Sequence, residues 1–185
     1  MTSVDPKEAA SALSDIDAIA HRVRQSQIYN LASLMLIMWG VLVFAGHLVV
    51  HVLPRNALMI WLAVTVLGIA GSFAISASTR ARTGVRTFDA RFLMAFLLFL
   101  GFGYLWTLGL GHFTARQMDT FWPLYFMLVY TIAGLWFGLA FVAIGLGVTV
   151  LTLIGYFFIG GWFHLWMAVV NGGGMILGGL WMRRS

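Results

Sequence analysis

Long apolar runs separated by short polar segments dominate the chain from residue 30 onward. Residues 30–53, 57–76 and 92–111 form three such runs, and polar or basic residues close each of them. A helix needs about 20 apolar residues to cross the hydrocarbon core of a bilayer. Each run therefore predicts one membrane-spanning helix.

The region from residue 121 to 182 contains no charged side chain, so it has to be divided by length. Its residues amount to about 93 Å of helix, close to three crossings of about 30 Å. Gly138 and the pair Gly160-Gly161 offer places for turns. We therefore predict spans at 121–138, 140–159 and 162–182, six in total. A weak repeat of glycines and tryptophans suggests that the six form three helical hairpins.

The first 28 residues are polar and charged, unlike a secretory signal peptide. Asp5-Pro6 is typical of a helix start, and apolar residues recur at helical spacing after it. We expect this segment to be an amphipathic cytoplasmic helix that lies along the inner leaflet or against a protein partner, the alternative being a partly frayed tail. The apolar positions are Ala9, Leu13, Ile16, Ala20 and Val23.

The composition supports an integral membrane protein and excludes several other classes. The chain is 61% hydrophobic and 9% charged, whereas soluble domains carry about 25% charged residues. The absence of cysteine excludes disulfides and thiolate metal sites. No nucleotide-binding or nucleophile motif is present, so we expect no enzyme activity. Four of the eleven basic residues lie between two apolar runs and no soluble basic face is left, which predicts the lipid bilayer as partner and not nucleic acid.

The basic residues also predict the orientation. With six spans and the N-terminus inside, only Arg55 and Arg116 lie outside, while the other nine lie in the cytoplasm. This asymmetry follows the positive-inside rule. It predicts a multi-pass protein of the bacterial inner membrane with both termini, including the tail 183–185, in the cytoplasm. The nine are Lys7, Arg22, Arg24, Arg80, Arg82, Arg86, Arg91, Arg183 and Arg184.

Four histidines converge on the outer side under this topology: His47, His51, His112 and His164. The spacing of His47 and His51 places them on one helix face, a geometry that can chelate a metal if His112, His164 or Asp119 completes the site. The same cluster could titrate near pH 6.5 and sense acid. Paired histidines could instead hold a haem, or each ring could simply bridge apolar and wet layers at the interface.

The predicted spans contain no Asp, Glu, Lys or Arg, which disfavours proton- or sodium-coupled transport. Gly174 and Gly178 form a GxxxG pattern, which predicts a close helix–helix contact within or between subunits. Asn171 lies beside them, and we expect its amide to face neighbouring helices. The alternative is a pore-lining amide in an oligomeric channel for a small neutral solute.

The stretches "LMLIMWGVLVFAGHLVV" (34–50) and "LTLIGYFFIGG" (151–161) resemble the HdeD-like family of acid-resistance membrane proteins. The resemblance implies a non-enzymatic, stress-associated protein of the inner membrane. We therefore expect a structural, sensory or stress-response role without a resident cofactor, responsive to pH or metal through the outer histidines. The alternatives are a haem- or metal-binding redox module and the solute channel.

Overall fold

Helices make up nearly all of the chain that the structure describes. The computed structural model describes residues 6–83 and 90–184, and no strand occurs in these two ranges. A 3-10 turn, Pro54–Asn56, joins α1 to α2; a π-helical segment, Leu105–Leu110, extends α3; and another, Ala168–Gly173, joins α6 to α7. The helices are α1 (Pro6–Val52), α2 (Ala57–Thr83), α3 (Ala90–Tyr104), α4 (Ala115–Phe137), α5 (Leu139–Phe158), α6 (Phe163–Met167) and α7 (Gly174–Met182).

Six apolar segments of these helices serve as spans one to six in chain order. Five are long and apolar enough to cross a membrane, and the third, Met94–Leu110, is shorter. The helix that contains the third span runs from residue 90 to 110 and is about 30 Å long, enough for one crossing. The protein is an all-α polytopic membrane protein, as predicted. The other five spans are Tyr29–Val52, Pro54–Thr79, Ala115–Phe137, Leu139–Phe158 and Phe163–Met182.

The N-terminal helix is not a separate element. α1 runs without interruption from Pro6 to Val52, so the predicted cytoplasmic helix and span one are one helix of 47 residues. No glycine or proline lies between residues 7 and 39 to interrupt it. A helix lying flat along the leaflet would need a break before the span, and α1 has none.

Span four begins earlier than predicted, at residue 115 instead of 121. Thr114 caps the helix, because its hydroxyl accepts from the backbone N–H of Gln117 while the Gln117 side chain accepts from the backbone N–H of Thr114. The longer helix includes Arg116 and Asp119. The expectation that no ionisable residue lies in a span is therefore wrong for span four.

Spans one, four, five and six form the core. Small residues allow span six to approach span one closely: a Cβ on Gly40 would lie 2.9 Å from the carbonyl oxygen of Gly172. About two turns away, near the start of span one and the end of span six, the Ser33 hydroxyl donates a hydrogen bond of 2.7 Å to the carbonyl of Gly179. The buried apolar residues of this core are Leu36, Met127, Ala140, Phe141, Ile144, Val148, Val170 and Met182.

Spans two and three flank this core. Span two packs on span one, where the Trp39 indole donates to the Ser72 hydroxyl at 3.1 Å. Span three packs on span four through aromatic rings, with Phe99 stacked on Tyr125 at a centroid distance of 4.0 Å. Both spans are largely exposed, and span two contributes Trp61 to the buried contacts at one end of the bundle.

Candidate functional site

The candidate site lies at one end of the bundle, which we call the histidine end. Here α1 ends, α4 begins, α5 ends and α6 begins. The capping box at Thr114 starts α4 early enough to place Asp119 one turn inside the helix. The turn after α5 returns the chain to His164 in the first turn of α6. Three sequence-distant helices thus contribute ionisable side chains to one place.

His47 is buried among these helices, with 1% of its surface exposed. Its ring meets the Trp61 indole edge-on at a centroid distance of 4.8 Å. The His164 ring lies 6.4 Å away. The Nδ1 atom of His47 has no hydrogen-bond partner, although it is completely covered. An imidazole without a partner in such a position is costly and calls for an explanation.

His164 and Asp119 form the second part of the site. Nδ1 of His164 lies 3.4 Å from Oδ2 of Asp119, and their side chains are 26% and 11% exposed. The two atoms are within ion-pair distance but are not aligned as a hydrogen bond. The Trp61 indole also interacts with the Asp119 carboxylate, although its N–H falls short of full hydrogen-bond geometry. Trp61 therefore links His47 to the carboxylate.

Arg116 joins this site to the end of α5. Its guanidinium donates to the carbonyls of Gly155 at 3.2 Å and Tyr156 at 2.7 Å, and also to that of Ile159. It lies over the Phe163 ring at 4.6 Å. These carbonyls lie at the C-terminal end of α5, where helix carbonyls run out of intrahelical donors; that of Gly155 also accepts from the backbone N–H of Ile159 at 3.1 Å. The sequence placed Arg116 in an outer loop; the Thr114-x-x-Gln117 capping pattern was the signal that it lies in a helix.

The other two predicted histidines lie at the edge of the site. His51 is exposed, and its ring stacks on that of Trp162 at a centroid distance of 6.4 Å. His112 is exposed on the turn between the third and fourth spans, in the left-handed backbone region with a φ of 43°. Among the described residues, no group of three or more histidine, aspartate or glutamate side chains could hold a metal ion. The structure thus places His47 next to His164, but it does not assemble the described histidines and carboxylates into a metal site.

Asn171 and the two glycines of the GxxxG pattern lie deeper in span six. Asn171 is 2% exposed, and its Nδ2 donates to the sulfur of Met167 at 3.4 Å, so the amide faces protein. Gly174 and Gly178 face span five. A Cβ on Gly174 would lie 3.2 Å from Val148, and one on Gly178 would lie 2.9 Å from Ile144. These residues pack helices within one chain.

The chain matches no protein-family model, no curated protein and no solved structure. The resemblance to the HdeD-like family therefore stays a prediction. What remains is the chemistry of the histidine end itself. Two imidazoles and one carboxylate, carried by three different spans, can each gain or lose a proton, and each change alters the charge that holds those spans together.

Proposed function

We propose that this protein is a non-enzymatic, proton-responsive protein of the bacterial inner membrane, with both termini in the cytoplasm and the histidine end outside. The observation that carries the proposal is the buried His47 ring, whose Nδ1 has no hydrogen-bond partner, next to the His164–Asp119 pair. Such an arrangement suits a sensor because each protonation step changes the packing of several spans. The resemblance to acid-resistance proteins points the same way.

The neutral state of His47 fits its surroundings. Its ring is in contact with the Trp61 indole, lies close to His164 and is 1% exposed. A proton on His47 would place a charge in this enclosure without a compensating partner, which is unfavourable by several kcal/mol in a typical protein interior. Acid would therefore favour an arrangement in which the ring reaches water. Spans one, two and six meet at this ring and would have to separate locally.

The His164–Asp119 pair also depends on protonation. A proton on His164 completes an ion pair with the carboxylate across 3.4 Å, whereas a proton on Asp119 removes the negative charge of that pair. Arg116 and His51 are the other ionisable groups nearby, and Arg116 is already engaged with the end of α5. The contact between spans four and six therefore changes with pH, as the enclosure of His47 does. A shift in helix packing, and not global unfolding, is the expected response.

A proton fits the site better than a metal ion or a haem. A zinc site uses at least three protein ligands, and the described residues bring no such group together. A haem needs an accessible ring nitrogen on each axial histidine, whereas His47 is 1% exposed and in edge contact with Trp61. The redox alternative therefore has less support in the geometry.

The test is a titration of the histidine chemical shifts and of the melting temperature between about pH 5 and 8. We expect stability to fall with acid, and to fall less in His47→Gln, because glutamine keeps a polar group but cannot be protonated; the His164–Asp119 pair keeps its own pH dependence in both proteins. The matched control is His112→Gln, since His112 is exposed on a turn and takes no part in the enclosure. A titration that is the same in the wild type and in His47→Gln would contradict the proposal.

A further inference from the structure

Apolar side chains on one side of α1 are exposed in the second half of span one and again at Ile16. In span one the exposed fractions are 52% for Val41, 38% for Leu48 and 74% for Val52. Near the other end of the helix, Ile16 is 61% exposed. Lipid can cover the part of this face that lies inside the membrane. The part near Ile16 needs another explanation.

The exposed residues lie on the same side of the helix. An α-helix has about 3.6 residues per turn. Ile16 and Val52 are 36 residues apart, which is about ten turns. Val41 lies 25 residues after Ile16, or about seven turns. Ile16 therefore lies on the same side of α1 as the exposed apolar residues of span one.

The sequence of the N-terminal half has the spacing of a coiled-coil seam. Its apolar positions alternate four and three residues apart, as the a and d positions of a heptad do. The span itself begins at Tyr29, so residues 6–28 extend about 34 Å beyond it as the same helix. Lipid tails cannot cover a helix that continues straight out of the bilayer. The seam positions are Ala9, Leu13, Ile16, Ala20 and Val23.

We propose that this face of α1 is a self-association surface and that its partner is a second copy of the chain in parallel orientation. Every copy emerges from the same side of the membrane, so two seams meet with the same polarity and in register. A partner that covers both halves of the face must have a long helix that leaves the membrane at the same point. The chain itself supplies such a helix. The proposal is independent of the proton response at the histidine end.

Disulfide cross-linking in native membranes tests the pairing, since the chain contains no cysteine. We expect Ile16→Cys and Val52→Cys each to give a covalent dimer on mild oxidation with copper phenanthroline. Ala18→Cys is the matched control for the first, because two residues rotate the position by about 200° around the helix. Leu97→Cys is the control for the second, since Leu97 is 55% exposed on span three. Both controls should stay monomeric.

A charge placed in the seam gives an independent readout. We expect Ile16→Lys, introduced into the Val52→Cys chain, to weaken the dimer about tenfold, as an uncompensated charge in a seam does. Ala18→Lys should leave the cross-linked fraction unchanged. Absence of cross-linking at Ile16→Cys and Val52→Cys, or equal cross-linking at the control positions, would overturn the proposal and assign the face to lipid or to a different protein. Full cross-linking of Val52→Cys in the presence of Ile16→Lys would overturn the pairing of the N-terminal seam.

Discussion

Arg116 organises the histidine end through contacts that no local sequence pattern specifies. A lone arginine after an apolar run is typical of a loop at the membrane surface, and the positive-inside count treats it as such. In the structure its guanidinium satisfies three carbonyls at the end of α5 and lies over Phe163, the residue before His164. One side chain thus fixes the ends of spans four, five and six against one another.

Loss of this side chain should destabilise the protein. We expect Arg116→Gln to lower the free energy of unfolding by about 2–4 kcal/mol, because hydrogen bonds to charged groups contribute about 1.5–3 kcal/mol each and covered carbonyls lose their partner. The measurement is the melting temperature in detergent. Arg55→Gln serves as the control, since Arg55 is exposed on the turn after α1. Equal melting of the two variants would show that the contacts of Arg116 do not hold the bundle.

The pairing of histidines could be predicted only in part. Their presence near one end of the bundle follows from the count of spans, and the burial of a polar ring against protein follows from the cost of leaving it in lipid. Which rings meet depends on how each helix is rotated about its axis. The four-residue spacing predicted that His47 and His51 act together on one helix face. In the structure the His47 ring lies next to His164, and the His51 ring stacks on Trp162.

At the scale of the elements, the apolar runs predicted most helix boundaries well. The fifth span was expected at 140–159 and lies at Leu139–Phe158, and the sixth was expected at 162–182 and lies at Phe163–Met182. These boundaries follow from glycine-rich turns and from the length of a membrane crossing. The start of α4 was missed because charged residues usually end a span, and here a capping box outweighs them.

Close packing of span six on span five gives a prediction at this scale. Gly178→Ile should destabilise the bundle by about 1–3 kcal/mol, the usual cost of forcing extra atoms into a packed core, because even its Cβ would lie 2.9 Å from Ile144. Gly147→Ile on span five is the matched control, since a Cβ there meets nothing within 4 Å. Thermal melting of both variants in the same detergent distinguishes them. A tolerated Gly178→Ile would mean that spans five and six are less tightly packed than their contact implies.

For the molecule as a whole, six spans would put the two termini on the same side. The positive-inside rule predicts that this side is the cytoplasm, because nine basic residues are assigned to it and two to the outside. Of the two basic residues assigned to the outside, Arg116 donates to carbonyls of α5. Its charge is therefore less free than that of an arginine in a loop, which adds to the charge asymmetry.

We expect a green fluorescent protein fused to the C-terminus to fluoresce and an alkaline phosphatase fused there to be inactive, because both fusions would lie in the cytoplasm. Alkaline phosphatase and green fluorescent protein fusions give opposite readouts, and a fusion after Asn56 provides the internal control because this turn lies at the histidine end. A phosphatase that is active at the C-terminus and inactive at residue 56 would invert the orientation and move the histidine end into the cytoplasm.

The core described above joins the first span to the last three, and this has a consequence for how the chain is made. The hydrogen bond between Ser33 and Gly179 spans 146 residues of sequence. At a synthesis rate of about 5–20 residues per second, span one waits roughly 7–30 seconds in the bilayer before its partner leaves the ribosome. During that interval Ser33 and His47 have no protein neighbours from span six. Any chain released before the final span is complete therefore carries two uncovered polar groups in lipid, a mark by which a membrane protease could recognise it.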